Sequence, residues 1–564
     1  MSQTFQNSWE SDTVKRRIVW MAATLMVALC SLDAMAAKET PTQLAQKKGY
    51  VLLRIAMNSA VVSRQARDFD HAFLKPPTDK PRNSNVVMLE RLPGSDRTLV
   101  VGAWAAPGNY QLWTANAVGY AGIQVVQFQI LAPKHFEPFE VRAGELTYLD
   151  TVVFQPLGSA EAMLVRVGSG IDGRTLLQRH VPEVASALAV RPPLTWQASK
   201  NWSIQPETVF GGTANWFSDM RSSKYDSKTA ATPIERLRSI ETESDMLAVM
   251  KKQPAKLLGA FIASDGTAYY GSSLGQIWKR DSSATWRTLD TGVMCDITAV
   301  AIEGDRLYAA TEMGTLLASS DSGVTFKEIA QSPNAFAIQR LDRLKDGGWV
   351  VSTQRLEING GDSRDRREFY VVDDLAQLSS AKVSLALAED FDIDSSRMFY
   401  HEHPISAGTT PIGFAAFEPP AKMHLMDAQS RTWRVAPPIP KRSDRMYFAR
   451  DGAVIFPDTL GIKSLDGGQS WAKIDGSKLA RFHVAFYDPM TGLQIDAVPT
   501  DLDASDALYT QNGGTKWTRM MKLSFFCPAF GVNEVLSQVY CLIGNGLILS
   551  SSKGDVWTPE TIAP

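Results

Sequence analysis

Three short strings place chemistry-bearing residues at spacings that known chemistries use. His401-Glu402-His403 sets two imidazoles two residues apart, on one side of a strand, as a metal pair would need. No third ligand lies nearby, and the chain has no Cys-x-x-Cys or Cys/His ligand spacing, so no metal site is expected. Gly168-Ser169-Gly170-Ile171-Asp172-Gly173 matches the phosphate-cradling pattern Gly-x-Gly-x-x-Gly between a strand and a helix. No second parallel strand ending in an acidic residue follows, so a domain junction is the plainer reading and no cofactor is expected. Gly271-Ser272-Ser273-Leu274-Gly275 matches the nucleophile elbow, which needs a helix after the serine. Strands flank it on both sides, and it reads as a turn.

A fourth string carries charge rather than a motif. Asp362-Ser363-Arg364-Asp365-Arg366-Arg367-Glu368 reads as a solvated loop. With the stretch from His401 to Pro420 and with Pro457-Asp458-Thr459, it falls between second and third strands of the repeats described below. Long loops gathered on one face are where binding residues concentrate. Arg364, Arg366, Arg367, His401, His403 and Asp458 are therefore the candidate binding residues, and no residue is assigned a catalytic role.

The elements that hold these strings are mostly strands. The chain has 564 residues, enough for two to four domains, and a formal charge of −2 that gives no reason to expect nucleic acid as a partner. At the N-terminus, Lys15-Arg16-Arg17 precedes the apolar run Ile18 to Leu32, followed by the small-x-small step Ala34-Met35-Ala36. Residues 1–36 read as a signal peptide, or as an uncleaved N-terminal anchor, and the protein as exported to the periplasm or cell surface. Val27-Ala28-Leu29-Cys30 resembles a lipobox, with Leu29 where a small residue belongs. Cys527 and Cys541 flank a turn between two strand-like runs and are the favoured disulfide. Cys295 then remains a free, buried thiol.

Residues 38–167 show eight short strands punctuated by Pro93-Gly94, Pro107-Gly108 and Ala143-Gly144. Such a run without helical period predicts a small β-sandwich. Residues 168–253 form a partly helical connector, with two short helices split at Pro182 and a further helix opened by Thr232-Pro233. In the last part, 254–564, a pattern repeats: Ser319-Ser320-Asp321-Ser322-Gly323-Val324-Thr325-Phe326 and Ser464-Leu465-Asp466-Gly467-Gly468-Gln469-Ser470-Trp471. Worn copies run from Lys279 to Trp286, from Met426 to Trp433, from Thr510 to Trp517 with Asn512 and Gly514, and from Ser550 to Trp557 with Gly554. The closing aromatics Trp286, Phe326, Trp433, Trp471, Trp517 and Trp557 are separated by 40, 107, 38, 46 and 40 residues. The doubled gap implies one unit whose turn has lost the pattern, near Phe369 to Leu375. Units of this length are four-stranded propeller blades, and the spacing gives seven.

The Ser-x-Asp-x-Gly-x-Thr-aromatic pattern resembles the Asp-box, or BNR, repeat of sialidases and of many non-enzymatic β-propellers. That resemblance implies structural turns between third and fourth strands, on the face away from any ligand: Ser319, Asp321, Gly323 and Phe326; Ser464, Asp466, Gly468 and Trp471; Asn512, Gly514 and Trp517; Gly554 and Trp557. A sialidase would also need an arginine triad with a Phe/Tyr-Arg-Ile-Pro string. The nearest string is Leu53-Arg54-Ile55-Ala56, which lacks the aromatic and the proline and lies in the predicted sandwich, far from the repeats. The chain thus reads as a mostly β, exported cell-envelope binding or assembly protein for a protein or glycan partner, with a possible membrane tether. The alternative is a sialidase-like glycoside hydrolase.

Overall fold

The computed structural model describes residues 39–58, 68–77, 86–92, 99–121, 124–132, 136–156, 161–168, 171–189, 194–195, 202–210, 240, 242–359, 362–392, 407–419, 421–440, 446–449, 452–457, 461–474, 483–498, 501–523, 527, 529–543 and 547–563. The export segment, Cys30 and Thr232-Pro233 lie outside the described residues. No helix among the described residues is long and apolar enough to cross a membrane.

The N-terminal strands do not divide into the two sheets of a sandwich. Gly49–Met57 pairs with Leu99–Ala105, and pairing continues through Val87–Arg91, Asp68–Lys75, Gly108–Ala121 and Gln124–Leu131. It goes on through Trp202–Phe210, Glu161–Val167 and Leu146–Pro156, which returns in parallel to Gly49–Met57. The result is one barrel-like sheet. Alternating short strands suit a sandwich and a barrel equally. Closure wins here because it leaves no unpaired edge at Gly49–Met57. The sheet also draws in Trp202–Phe210, from the stretch that the sequence leaves as connector.

Both faces of Gly49–Met57 are buried, which is why its sequence alternates so weakly. Val51, Leu53 and Ile55 fill the barrel with Leu74, Leu89 and Phe154. Leu52, Arg54 and Ala56 point outward, and Leu52 meets the helix Gly173–His180 in a second cluster. Asp172 caps that helix by accepting from the Thr175 N–H at 2.8 Å, and a Cβ on Gly173 would lie 2.5 Å from the Tyr148 ring. The described end of the Gly-x-Gly-x-x-Gly string, Asp172-Gly173, is thus a helix start packed close on a strand.

From residue 258 onward the chain forms successive antiparallel sheets, named here by their spans: 258–290, 297–331, 337–392, 407–435, 446–473, 483–523 and 529–559. In the 446–473 span two short ladders are joined only through Ile455 and Ser464. Each sheet packs its face on the next. Ile277 and Leu289 meet Val300 and Leu307; Tyr308 meets Trp349; Phe369 meets Phe414 and Trp433. Further round, Met423 lies with Ile462, Phe456 with Phe486 and Trp517, and Ala507 with Leu549.

The last sheet returns to the first. Tyr270, Trp286 and Tyr540 form one aromatic cluster, and Thr561–Ile562 adds in parallel to the outer edge of Thr285–Asp290. Arg280 bonds Glu560 at 2.8 Å with both side chains buried, and Trp286 Nε1 donates to the same carboxylate at 3.1 Å. The sheets therefore form a propeller-like ring. Where the first two sheets meet, Gly259 faces Thr298, and a Cβ there would sit 2.2 Å from the carbonyl oxygen. Cys527, just before the last sheet, is bonded to Cys541 within it, and Cys295 is free and buried.

The repeated pattern folds as its residue types dictate. Asp321 Oδ1 accepts from the Val324 and Thr325 N–H groups at 3.1 and 2.9 Å, its Oδ2 accepts from Thr325 Oγ1 at 2.6 Å, and Ser319 Oγ accepts from the Gly323 N–H at 2.8 Å. Asp466 repeats the arrangement with Gln469 and Ser470, and Ser464 Oγ accepts from the Gly468 N–H. Asn512 substitutes for Asp by accepting from the Lys516 N–H, with Thr510 Oγ1 taking the Gly514 N–H. The doubled gap has a physical cause as well. Between the third and fourth strands of the 337–392 sheet, Asp374 caps a 3-10 helix, Leu375–Ser380, where the other sheets have a tight turn.

Candidate binding face

In an antiparallel sheet of four strands, the turns joining first to second and third to fourth strands lie at one end, and the remaining connections at the other. The acidic turns at Asp281, Asp321, Asp427, Asp466 and Asn512 all join third to fourth strands, so they share one face of the ring. Hydrogen bonds from Thr325 and Ser319 hold the Asp321 carboxyl well below the usual carboxylate range. At Asp466 burial pulls upward, yet bonds from Ser470, Ser464 and Gln469 carry the shift downward. Both carboxylates are spent on their own turns, so their chemistry is structural.

The opposite face holds the barrel. Arg54, wholly buried, reaches from the outward side of its strand into the link between the first two sheets. Its Nη2 lies 2.9 Å from Glu312 Oε1, and its Nη1 donates to the Met294 carbonyl at 2.5 Å and to Thr151 Oγ1 at 3.3 Å. Glu312 Oε1 also accepts from the Asp296 N–H at 3.0 Å. Arg54 is therefore not remote from the repeats, as its place in the sequence implies, but built into them. Beside it Asn58 donates to Gln155 Oε1 and to the Met250 carbonyl, and accepts from Ser273 Oγ. The Gly-x-Ser-x-Gly turn is thus a contact with the barrel. Arg179 donates to the Met313 carbonyl and, at 3.1 Å, to Gln331. Every one of these ring residues lies on the face away from the acidic turns. Cys295 is sealed beneath the same contact, where burial pushes its thiol up to about 12.

The charged string at 362–368 also differs from expectation. It is no loop but the start of a strand, Asp362–Val372, paired residue for residue with Trp349–Asn359 and then with Val383–Asp392. A strand sends alternate residues to opposite faces, so a run of mixed charge can be sorted by partner. Asp365 is buried on one face, held by Arg367 Nη2 at 2.6 Å and Gln354 Nε2 at 3.0 Å. Arg364 and Arg366 are exposed on the other, with Arg366 opposite Arg355. Glu368 accepts both from the Tyr370 hydroxyl and from Asn334. Burial, then that carboxylate, raises the Tyr370 hydroxyl far above its ordinary range.

Of the six candidate residues, the structure sets Arg364, Arg366 and Arg367 on one strand, with Arg367 tied to Asp365 and the other two facing solvent. His401, His403 and Asp458 lie outside the described residues. Two inner-strand arginines, Arg340 and Arg343, each pair with a carboxylate, Asp342 at 2.7 Å and Glu303 at 2.6 Å. No group of His, Cys, Asp and Glu suited to a metal ion occurs among the described residues. Sequence reasoning missed the contact around Arg54. Its signal was an arginine inside the apolar run Tyr50-Val51-Leu52-Leu53-Arg54-Ile55-Ala56, since a charge there must find a buried partner.

No protein-family model matches the chain, and no curated protein matches its sequence. Solved structures are similar over about half of it. YCF48 from Cyanidioschyzon merolae is 15% identical, with 53% of this chain and 95% of that one covered and a TM-score of 0.36. The Dos1 propeller is 10% identical, covering 55% and 97% with a TM-score of 0.31. BamB from Moraxella catarrhalis is 10% identical, covering 52% and 82% with a TM-score of 0.29.

Proposed function

We propose that this chain is a seven-bladed Asp-box propeller, spanning 254–564, that carries its N-terminal β domain as a fixed cap and works as an exported cell-envelope binding or assembly protein. Seven blades agree with the cycle of packed faces from the 258–290 sheet round to the 529–559 sheet and back. The cap occupies the first two blades on the face away from the acidic turns. Partner binding falls to the rest of that face. The observation that carries this reading is the 337–392 blade, whose second and third strands each run eleven residues, with Arg364 and Arg366 exposed in the first half of the third. Strands of that length offer a rigid ledge on the same face of the ring as the cap. The partner is a protein or glycan of the envelope, and binding is without catalysis.

The test is affinity capture from envelope extract with the mature chain as bait. A specific partner is expected with the parent protein and several-fold less of it with the R364A/R366A variant. Equal capture by both would move the site elsewhere. Turnover of an aryl glycoside, lost when one ring carboxylate is neutralised, would replace the binding role by a hydrolase.

A further inference from the structure

The blades end in outer strands of very different length. Thr285–Asp290 and Thr518–Leu523 have six residues, Lys327–Gln331 five, Trp433–Val435 three, and Ala472–Lys473 and Thr558–Pro559 two. The outer strand of the 337–392 blade, Val383–Asp392, has ten, and among the described residues no strand pairs with its outer side. One register irregularity lies at its start, and from Leu385 to Asp392 it follows Asp362–Phe369 without a break. Natural edges are blunted by lysine, proline, shortness or a cover. Leu385-Ala386-Leu387-Ala388 has neither lysine nor proline. Leu385 and Leu387 pack toward Phe414 and Ala416 of the next blade, whereas Ser384, Ala386 and Ala388 are exposed.

The molecule shows how such an edge is satisfied. On the first blade, the extended segment Thr561–Ile562 adds to the outer side of Thr285–Asp290 through main-chain pairing. We infer that the Val383–Asp392 edge receives an extended segment of a protein partner in the same manner, as an added strand. The inference rests on the binding role proposed above and narrows its partner to protein. Unpaired N–H and C=O groups along the edge supply affinity regardless of sequence, and the flanking side chains supply selectivity. Ser384 Oγ accepts from Trp433 Nε1 of the next blade at 2.7 Å, which leaves Ala386 and Ala388 as a shallow uncharged shelf that suits small or β-branched side chains on the incoming strand. The segment is therefore uncharged where it meets the edge.

The probe is a short synthetic peptide alternating Thr and Val, tested on the full mature chain by amide hydrogen exchange and fluorescence anisotropy. Exchange at Leu385 to Ala388 is expected to slow at least several-fold. The same peptide N-methylated at alternate residues should bind at least tenfold more weakly. The A386K/A388K variant, altered only at exposed positions, should lose the protection. Unchanged binding by the N-methylated peptide, or no protection at Leu385 to Ala388, would overturn the inference. If the envelope partner is still captured in that event, the binding role survives and only strand addition fails.

Discussion

Arg54 Nη2 stands 2.9 Å from Glu312 Oε1, with the two side chains 0% and 3% exposed and 258 residues apart in the chain. Two charges so fully removed from water hold the barrel to the ring in one register, because neither is solvated without the other.

Removing one partner leaves the other charge buried without this counter-charge. R54A or E312A is expected to lower stability by about 3–5 kcal/mol in urea denaturation, whereas R54M/E312L recovers much of the loss. Cys295, buried in the same contact, reports on the opening. It should resist Ellman's reagent in the parent protein and react in R54A.

Ring closure rests on the last few residues. Glu560 accepts from Arg280 and Trp286, and Thr561–Ile562 covers the edge of Thr285–Asp290. E560A strands a buried guanidinium, for an expected loss of about 3–5 kcal/mol. Truncation after Pro559 removes the edge cover too. Both should lower the thermal midpoint, the truncation more, and light scattering should show the truncated chain associating through its bared edge.

Acid should loosen the turns. Asp281, Asp321, Asp427 and Asp466 are all held below the ordinary carboxylate range by hydrogen bonds within their own turns, although burial opposes this most strongly at Asp466. A carboxyl more acidic in the folded state stabilises the fold above its unfolded value, about 4, and loses that contribution as pH falls below it. The urea midpoint of the parent protein should therefore drop between neutral pH and pH about 3. In D321N/D466N that drop should be smaller, because two of the titrating groups are gone.

The Cys527–Cys541 bond closes a short loop of 14 residues. Replacing both cysteines by serine is expected to cost about 3 kcal/mol through greater freedom of the unfolded chain. The check is a lower urea midpoint in the variant, and a matching decrease when the parent protein is reduced.

Much of this molecule was legible because its determinants are local. A turn such as Ser319 to Phe326 is made by residues within hydrogen-bonding reach along the chain, so its pattern survives translation into sequence. The aromatic spacing likewise marks where one blade ends and the next begins, and the missing pattern near Phe369 to Leu375 coincides with the 3-10 helix that replaces the turn. The charged run at 362–368 was harder. Loop and strand share its composition, and only the pairing with Gln354 and Leu387 decides which it is.

Three matters belonged to tertiary structure alone. Whether the N-terminal strands split into two sheets or join in one depends on the meeting of Gly49–Met57 with Leu146–Pro156, a parallel contact between distant segments. Which face of the ring is covered depends on Arg54 finding Glu312, and no periodicity records a partner 258 residues away. That Val383–Asp392 stands as an edge among the described residues depends on which strands pair with it. Hydrogen bonds within a turn are fixed by neighbours in the chain, whereas burial and edge exposure are properties of the whole packed molecule, and the sequence states them only through the fold.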